Sequence, residues 1–201
     1  GRAALAALAG AGAAARALWG VGAGAASLPG LDALGLVIRL DAVSASMLAL
    51  VSFVGWVVLR YSRTYMDGDP RHGAFTGMLC FTLASVLLLV TAGDLVQLAI
   101  GWIATSMGLQ RLLLHRAERP GAQRAARKKW VMARAGDAAL LGAVWLLAEG
   151  YATTDIAAIL DAARAGAAPD GVAWIGALLA LAALFKSAQF PTHGWLTEVM
   201  E

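Results

Sequence analysis

Five apolar runs, at residues 41–60, 74–92, 95–114, 130–147 and 171–190, follow one another along the chain with short polar connections between them. Wound as an α-helix at about 1.5 Å per residue, each run is long enough to cross most or all of a hydrocarbon layer of about 30 Å. In lipid, every backbone N–H and C=O of such a run must be satisfied within the protein, so a chain built this way is restricted to helices. The sequence therefore predicts an all-α fold, a polytopic transmembrane helical bundle, with residues 1–201 as a single membrane domain. A composition of 60% apolar and only 14% charged residues agrees with it.

The remaining segments fit around those spans. Residues 3–26 are mostly Ala and Gly, flanked or interrupted by Arg2 and Arg16; they predict one or two weak membrane helices, with a targeting segment as the alternative reading. The stretch LDALGLVIRL, completing region 1–40, alternates imperfectly and predicts a short extramembrane hairpin. Region 41–201 carries the well-formed helices. Within it, residues 153–165 place Ile156, Ile159, Leu160 and Ala163 at the spacing of an amphipathic interfacial helix. The chain starts on Gly1 and stops at Met200-Glu201 just after a helix break, as expected of a fragment of a longer subunit.

Charge placement orients the spans. Arg60, Arg63 and Arg71 cluster in a loop at 60–72, and Arg116, Arg119, Arg124, Arg127, Lys128 and Lys129 in a loop at 115–129. The connection around Asp94 has no Lys or Arg, and 149–170 has only Arg164. Alternating spans put both basic loops on one face, and the positive-inside rule makes that face cytoplasmic in a multi-pass protein of the cell's inner (plasma) membrane.

Several chemistries are excluded. Cys80 is the single cysteine and lies in an apolar run, so there is no disulfide framework. His72, His115 and His193 fall in separate segments without metal-ligand spacing. No basic face with interleaved aromatics speaks for nucleic acid. Lys186-Ser187 follows Leu184-Phe185, with no glycine-rich phosphate loop before it. The chain is expected not to be an enzyme and to hold no cofactor of its own.

What remains is Lys186, in the run WIGALLALAALFKSAQFPTHGW. Counted from Gly171 it lies about 22 Å along the helix, inside the hydrocarbon layer. Charges there are expensive and usually line an ion path or hold a partner. Pro191 cannot donate to the carbonyl of Ser187, so it predicts a helix break beside the charge. Lys186 is thus a candidate proton carrier or gate, against the plainer readings of snorkelling or a structural ion pair. Arg134 and Asp137, three apart, share a helix face. Asp137, about 12 Å into the span from Lys129, either pairs with Lys186 or forms a self-satisfied pair with Arg134 at the interface. His193 is a candidate onward relay in the broken region, or only a hydrogen-bonding residue. In the third span, Trp102, Ser106 and Gln110 share one face and Gln97, Gly101, Thr105 and Gly108 another. Polar and small residues so spaced glue helices together or wet a cavity.

The segment KSAQFPTHGWLTEVME resembles the antiporter-like membrane proteins of respiratory complex I and multisubunit cation/proton antiporters, in which it marks a broken helix carrying a central lysine. The resemblance extends through RLDAVSASML, Tyr65-Met66, Gly101-Trp102 and Arg134-Ala135-Gly136-Asp137, covering residues 39–201. In proton-pumping members Gly-Trp is followed by a glutamate that pairs with the lysine; here Ile103 follows. The surrounding IATSMGLQRLLLHRAERPGAQRAARKKWVMARAGD is similar to the membrane subunit of DAB-type inorganic carbon transporters. That resemblance implies a soluble, zinc-bearing, carbonic-anhydrase-like partner, with ion movement through this subunit energising hydration of CO2 to bicarbonate, the zinc on the partner, and other membrane subunits as further partners. It sets an ion-conducting subunit of an inorganic carbon accumulation complex against two alternatives. One is a proton-pumping complex I or cation/proton antiporter subunit; the other is a membrane scaffold whose charges only hold helices together.

Overall fold

The computed structural model describes residues 24–26, 37–115, 120–187 and 194. Among these are two short strands, β1 (Gly24–Ala26) and β2 (Ile38–Leu40), and six helices: α1 (Ala42–Tyr65), α2 (His72–Val90), α3 (Leu95–Leu113), α4 (Pro120–Tyr151), α5 (Ile156–Arg164) and α6 (Val172–Lys186). Three of them, Ala42–Tyr65, His72–Val90 and the Gln123–Tyr151 part of α4, are long and apolar enough to cross a membrane; α6 is a shorter apolar helix. The chain packs as two compact units, Gly1–Gly101 and Trp102–Glu201, with the boundary inside α3.

In the first unit, α1 starts where Asp41 closes a capping box. Asp41 accepts from the Ser44 N–H, and Ser44 Oγ accepts from the Asp41 N–H, each at 2.8 Å. Two of the helix's orphan N–H groups are thereby satisfied. The helix runs on to Tyr65, so Arg60 and Arg63 are helical and the connection to α2 is shorter than the 60–72 loop expected. Strand β2 pairs antiparallel with β1, Arg39 opposite Ala25. Gly24–Ala26 is therefore strand, at the end of a stretch read as membrane helix; the residues before it lie outside the described ones. The other edge of β2 takes the chain after α2: Arg39 N–H donates to Thr91 O at 3.0 Å and Gly93 N–H to Val37 O at 2.8 Å. A Cβ on Gly93 would stand 2.7 Å from that same carbonyl, so only glycine permits the approach. Asp94 then caps α3, accepting from the Val96 N–H at 2.7 Å.

The second unit is organised by α4 and α6, which pack antiparallel along each other. Gly136 faces Phe185 and Gly142 faces Leu178 across this contact. Of the basic stretch expected as a loop at 115–129, residues 116–119 lie outside the described ones. From Pro120 onward it is helix, because a proline fits the first helical position and the Ala, Gln, Arg and Lys that follow are strong helix formers. Helix α5 is the amphipathic element, capped by Asp155 and burying Ile159. Gly171, in the left-handed region at φ 79°, opens α6.

Candidate functional site

Lys186 is the last residue of α6. The Ser187 N–H closes the helix on Ala183 O at 2.9 Å, and Ser187 is the residue whose carbonyl Pro191 cannot serve. Pro191 and His193 themselves lie outside the described residues. The Lys186 ammonium turns to the C-terminal half of α3. It donates to Trp102 O and to Ser106 Oγ, both at 2.9 Å, and lies 4.5 Å from the centroid of the Trp102 ring. Two lone pairs and an aromatic face therefore hold this cation, with dipoles and a quadrupole in place of a carboxylate. Ile103, next to Trp102, adds no charge.

Ser106 also holds a second ammonium. Lys129, only 6% exposed, donates from Nζ to Ser106 O at 2.5 Å. Gln110, one turn further along α3, ties the same helices together by donating to Ala126 O at 3.0 Å. The stripe Trp102, Ser106 and Gln110 is thus the polar face of α3. Lys129, Ala133 and Asp137 recur every four residues on α4, which puts them on one side of that helix.

Asp137 lies fourteen residues from either end of the Gln123–Tyr151 span, about 21 Å from each. That is deeper than a count from Lys129 implied, because the helix begins earlier. Its side chain is buried, and Oδ2 meets Arg134 Nη2 at 2.6 Å. Neither Oδ1 nor Oδ2 has a hydrogen-bond partner among the described residues, so the pair with Arg134 is an ion contact only. The ion pair observed is therefore Arg134–Asp137; Asp137 and Lys186 are not hydrogen-bonded to each other.

Two cavities adjoin at Lys129. The smaller, about 70 Å³, is lined by Thr105, Ser106, Met132, Phe185 and both lysines. The larger, about 230 Å³, is lined by Gln110, Arg111, Trp130 and Arg134. Both share Ser106, Lys129 and Ala133. At roughly 30 Å³ per water, the smaller has room for about two waters between the amines. Among the described residues no group of three His, Cys, Asp or Glu side chains is placed to hold a metal ion.

Three of these residues were not singled out for chemistry by sequence reasoning. Lys129 belongs in sequence to the basic stretch at 115–129, while its four-residue phase with Ala133 and Asp137 makes it the inward lysine beside exposed Lys128. Trp102 and Ser106 share a face in the sequence and read as helix glue or as the lining of a wet cavity; nothing in the sequence makes them the acceptors of Lys186.

Membrane-length helices and a half-buried lysine held by neutral acceptors define a multi-pass membrane protein of the ion-transport type. The family described as NADH:quinone oxidoreductase/Mrp antiporter, TM, matches residues 92–201, and the one described as NADH-ubiquinone oxidoreductase (complex I), chain 5 N-terminus, matches residues 32–76. The chain belongs to this NADH:quinone oxidoreductase/Mrp antiporter membrane family. It is 42% identical over 180 residues to the probable inorganic carbon transporter subunit DabB2 of Halothiobacillus neapolitanus, covering 87% of this chain and 32% of that protein. It is 36% identical over 164 residues to NADH-quinone oxidoreductase subunit L of Mycobacterium tuberculosis, covering 82% and 26%. The chain thus spans about a third or less of these relatives. The solved Mrp complex from Dietzia sp. DQ12-45-1b superposes with a TM-score of 0.77 at 32% identity, covering 96% of this chain and 22% of that one.

Proposed function

We propose that this chain is part of the ion-conducting membrane subunit of an inorganic carbon accumulation complex, with protons as the ion and Lys186 as the central carrier. The observation that carries this reading is the Lys186 ammonium itself. It sits about 21 Å along α6 from Val172, held by a carbonyl, a hydroxyl and an aromatic face, beside a cavity of about 70 Å³. A cation with only a structural role at such depth is expected beside a carboxylate. Arg134 stands in that relation to Asp137, at 2.6 Å; Lys186 is held by neutral acceptors instead. Asp137, with neither carboxylate oxygen hydrogen-bonded, biases the field around the carrier, and His193 passes the proton onward.

The carbon-transport reading rests on the 42% identity to a probable inorganic carbon transporter subunit and on Ile103 beside Trp102. Ion movement here would energise CO2 hydration on a soluble, carbonic-anhydrase-like partner that holds zinc, with other membrane subunits alongside. The basic ends near Arg63 and Arg127 face the cytoplasm of the cell's inner membrane. The competing complex I or antiporter reading is favoured by the resemblance to the Mrp complex.

The test uses the full-length protein and the Lys186→Ala variant. Loss of growth at ambient CO2, with growth restored by added CO2 and a soluble zinc protein still co-purifying, is expected. Unchanged growth would overturn the role of Lys186. Co-purification with a set of membrane subunits and no zinc protein would overturn the carbon-transport reading in favour of an antiporter complex.

A further inference from the structure

We propose that Lys129 is a second proton-carrying residue, the one through which Lys186 is loaded from the larger cavity. The inference rests on Lys186 being a proton carrier and adds the route by which it is reached.

Lys129 is one of two adjacent lysines at the start of the α4 span. Lys128 is exposed, as an interfacial lysine should be. Lys129 instead points inward, is 6% exposed, and spends a hydrogen bond on the Ser106 carbonyl. Lys186 approaches the same residue through its hydroxyl. Two ammonium groups on one residue repel, and water between them screens little in a cavity walled by Met132 and Phe185. The cheapest occupancy of the pair is therefore a single proton shared in alternation. The groups facing the pair are Arg134 and Asp137 from α4, and Arg111 with the neutral Trp102, Thr105 and Ser106 from α3. Arg134 and Asp137 cancel each other and Arg111 adds a positive charge on the Lys129 side, so two charged lysines would find no further carboxylate among the described residues lining these cavities.

Position gives the pair a direction. Lys129 lines both cavities; Lys186 lines only the smaller. A proton taken up at the Gln110–Arg111 side reaches Lys129 first. The Lys129 ammonium then gives one proton to a water of the smaller cavity, and that water gives one to the Lys186 amine. One N–H bond breaks and one forms, and the charge of the pair is unchanged.

The test reads proton flux in liposomes holding the full-length subunit in its complex, driven by an imposed pH gradient, for Lys129→Met, Lys129→Arg and Lys186→Ala. Arginine keeps the charge and the donor but does not release its proton. Both Lys129 variants are expected to lose flux by about a hundredfold, the scale of a removed acid–base group. Full flux in Lys129→Arg would mean that Lys129 is a structural cation and would overturn the proposal. If Lys129→Met fails to assemble, the arginine variant alone decides. Lost flux in Lys186→Ala with normal flux in both Lys129 variants would sink the loading route and leave the Lys186 reading standing. Normal flux in Lys186→Ala would remove that reading itself.

Discussion

The ammonium of Lys186 and the hydroxyl of Ser106 stand 2.9 Å apart, on α6 and α3, while the carbonyl of the same serine receives Lys129. One residue thus serves two cations through two different groups. The hydroxyl can be removed by mutation and the carbonyl cannot.

Ser106→Ala should therefore weaken the hold on Lys186 and leave that on Lys129 in place. Loss of a hydrogen bond to a charged group costs about 1.5–3 kcal/mol, so flux should fall by roughly tenfold or more without loss of assembly. Flux in liposomes, with thermal unfolding as the control for folding, checks this. Equal flux in the variant and the parent would mean that the Ser106 hydroxyl does not position the carrier.

Packing between α4 and α6 sets where Lys186 sits. A Cβ on Gly136 would lie 3.1 Å from Phe185 Cβ, the residue before the lysine, whereas one on Gly142 would meet Leu178 Cδ1 at an ordinary 3.5 Å. Gly136→Val should destabilise by about 1–3 kcal/mol and reduce flux, while Gly142→Ala should be tolerated. Thermal melts of both variants in one detergent distinguish them.

At the start of α1, the Ser44 backbone N–H holds the Asp41 carboxyl below its usual range, with its hydroxyl and Arg39 adding to the effect against burial. A depressed carboxyl stabilises the fold at pH above its unfolded value, about 3.9, and loses that contribution as pH falls through the folded value. Asp41→Ala should cost about 1 kcal/mol at neutral pH. Its deficit relative to the parent should shrink as pH falls below about 4. Melts at pH 7 and pH 3 read the difference.

Ala152, just after α4, holds φ at 52°, a left-handed conformation that costs an L-residue about 1–2 kcal/mol. Ala152→Gly should raise the melting temperature and leave flux unchanged. A lower melting temperature would mean that the Ala152 methyl makes contacts worth more than the strain.

Each of the five apolar runs contains a helix, because an apolar run in lipid has little choice of backbone; three of the described helices reach membrane length, and α6 is shorter than the run at 171–190. Lys186 and the Arg134–Asp137 pair stood out for the same reason: a charge in an apolar run is visible without coordinates. The amphipathic segment at 153–165 was legible from its period and is α5. Helix ends were less so. Arg and Ala are compatible with both loop and helix, and only Pro120 at the first turn hinted that α4 begins before Lys129. The partners of Lys186 were least legible, since a backbone carbonyl and an aromatic face have no sequence signature, and Trp102 and Ser106 are 84 and 80 residues away.

The central claim, that Lys186 carries a proton and does not merely hold α6 to α3, is tested most directly by Lys186→Arg. Arginine preserves the charge and can still donate to Trp102 O and Ser106 Oγ, so a holding role would survive. Proton flux should be measured in liposomes containing the full-length variant in its assembled complex, under an imposed pH gradient. Flux at the level of protein-free liposomes is the expected result. Flux comparable to that of the parent protein would contradict it.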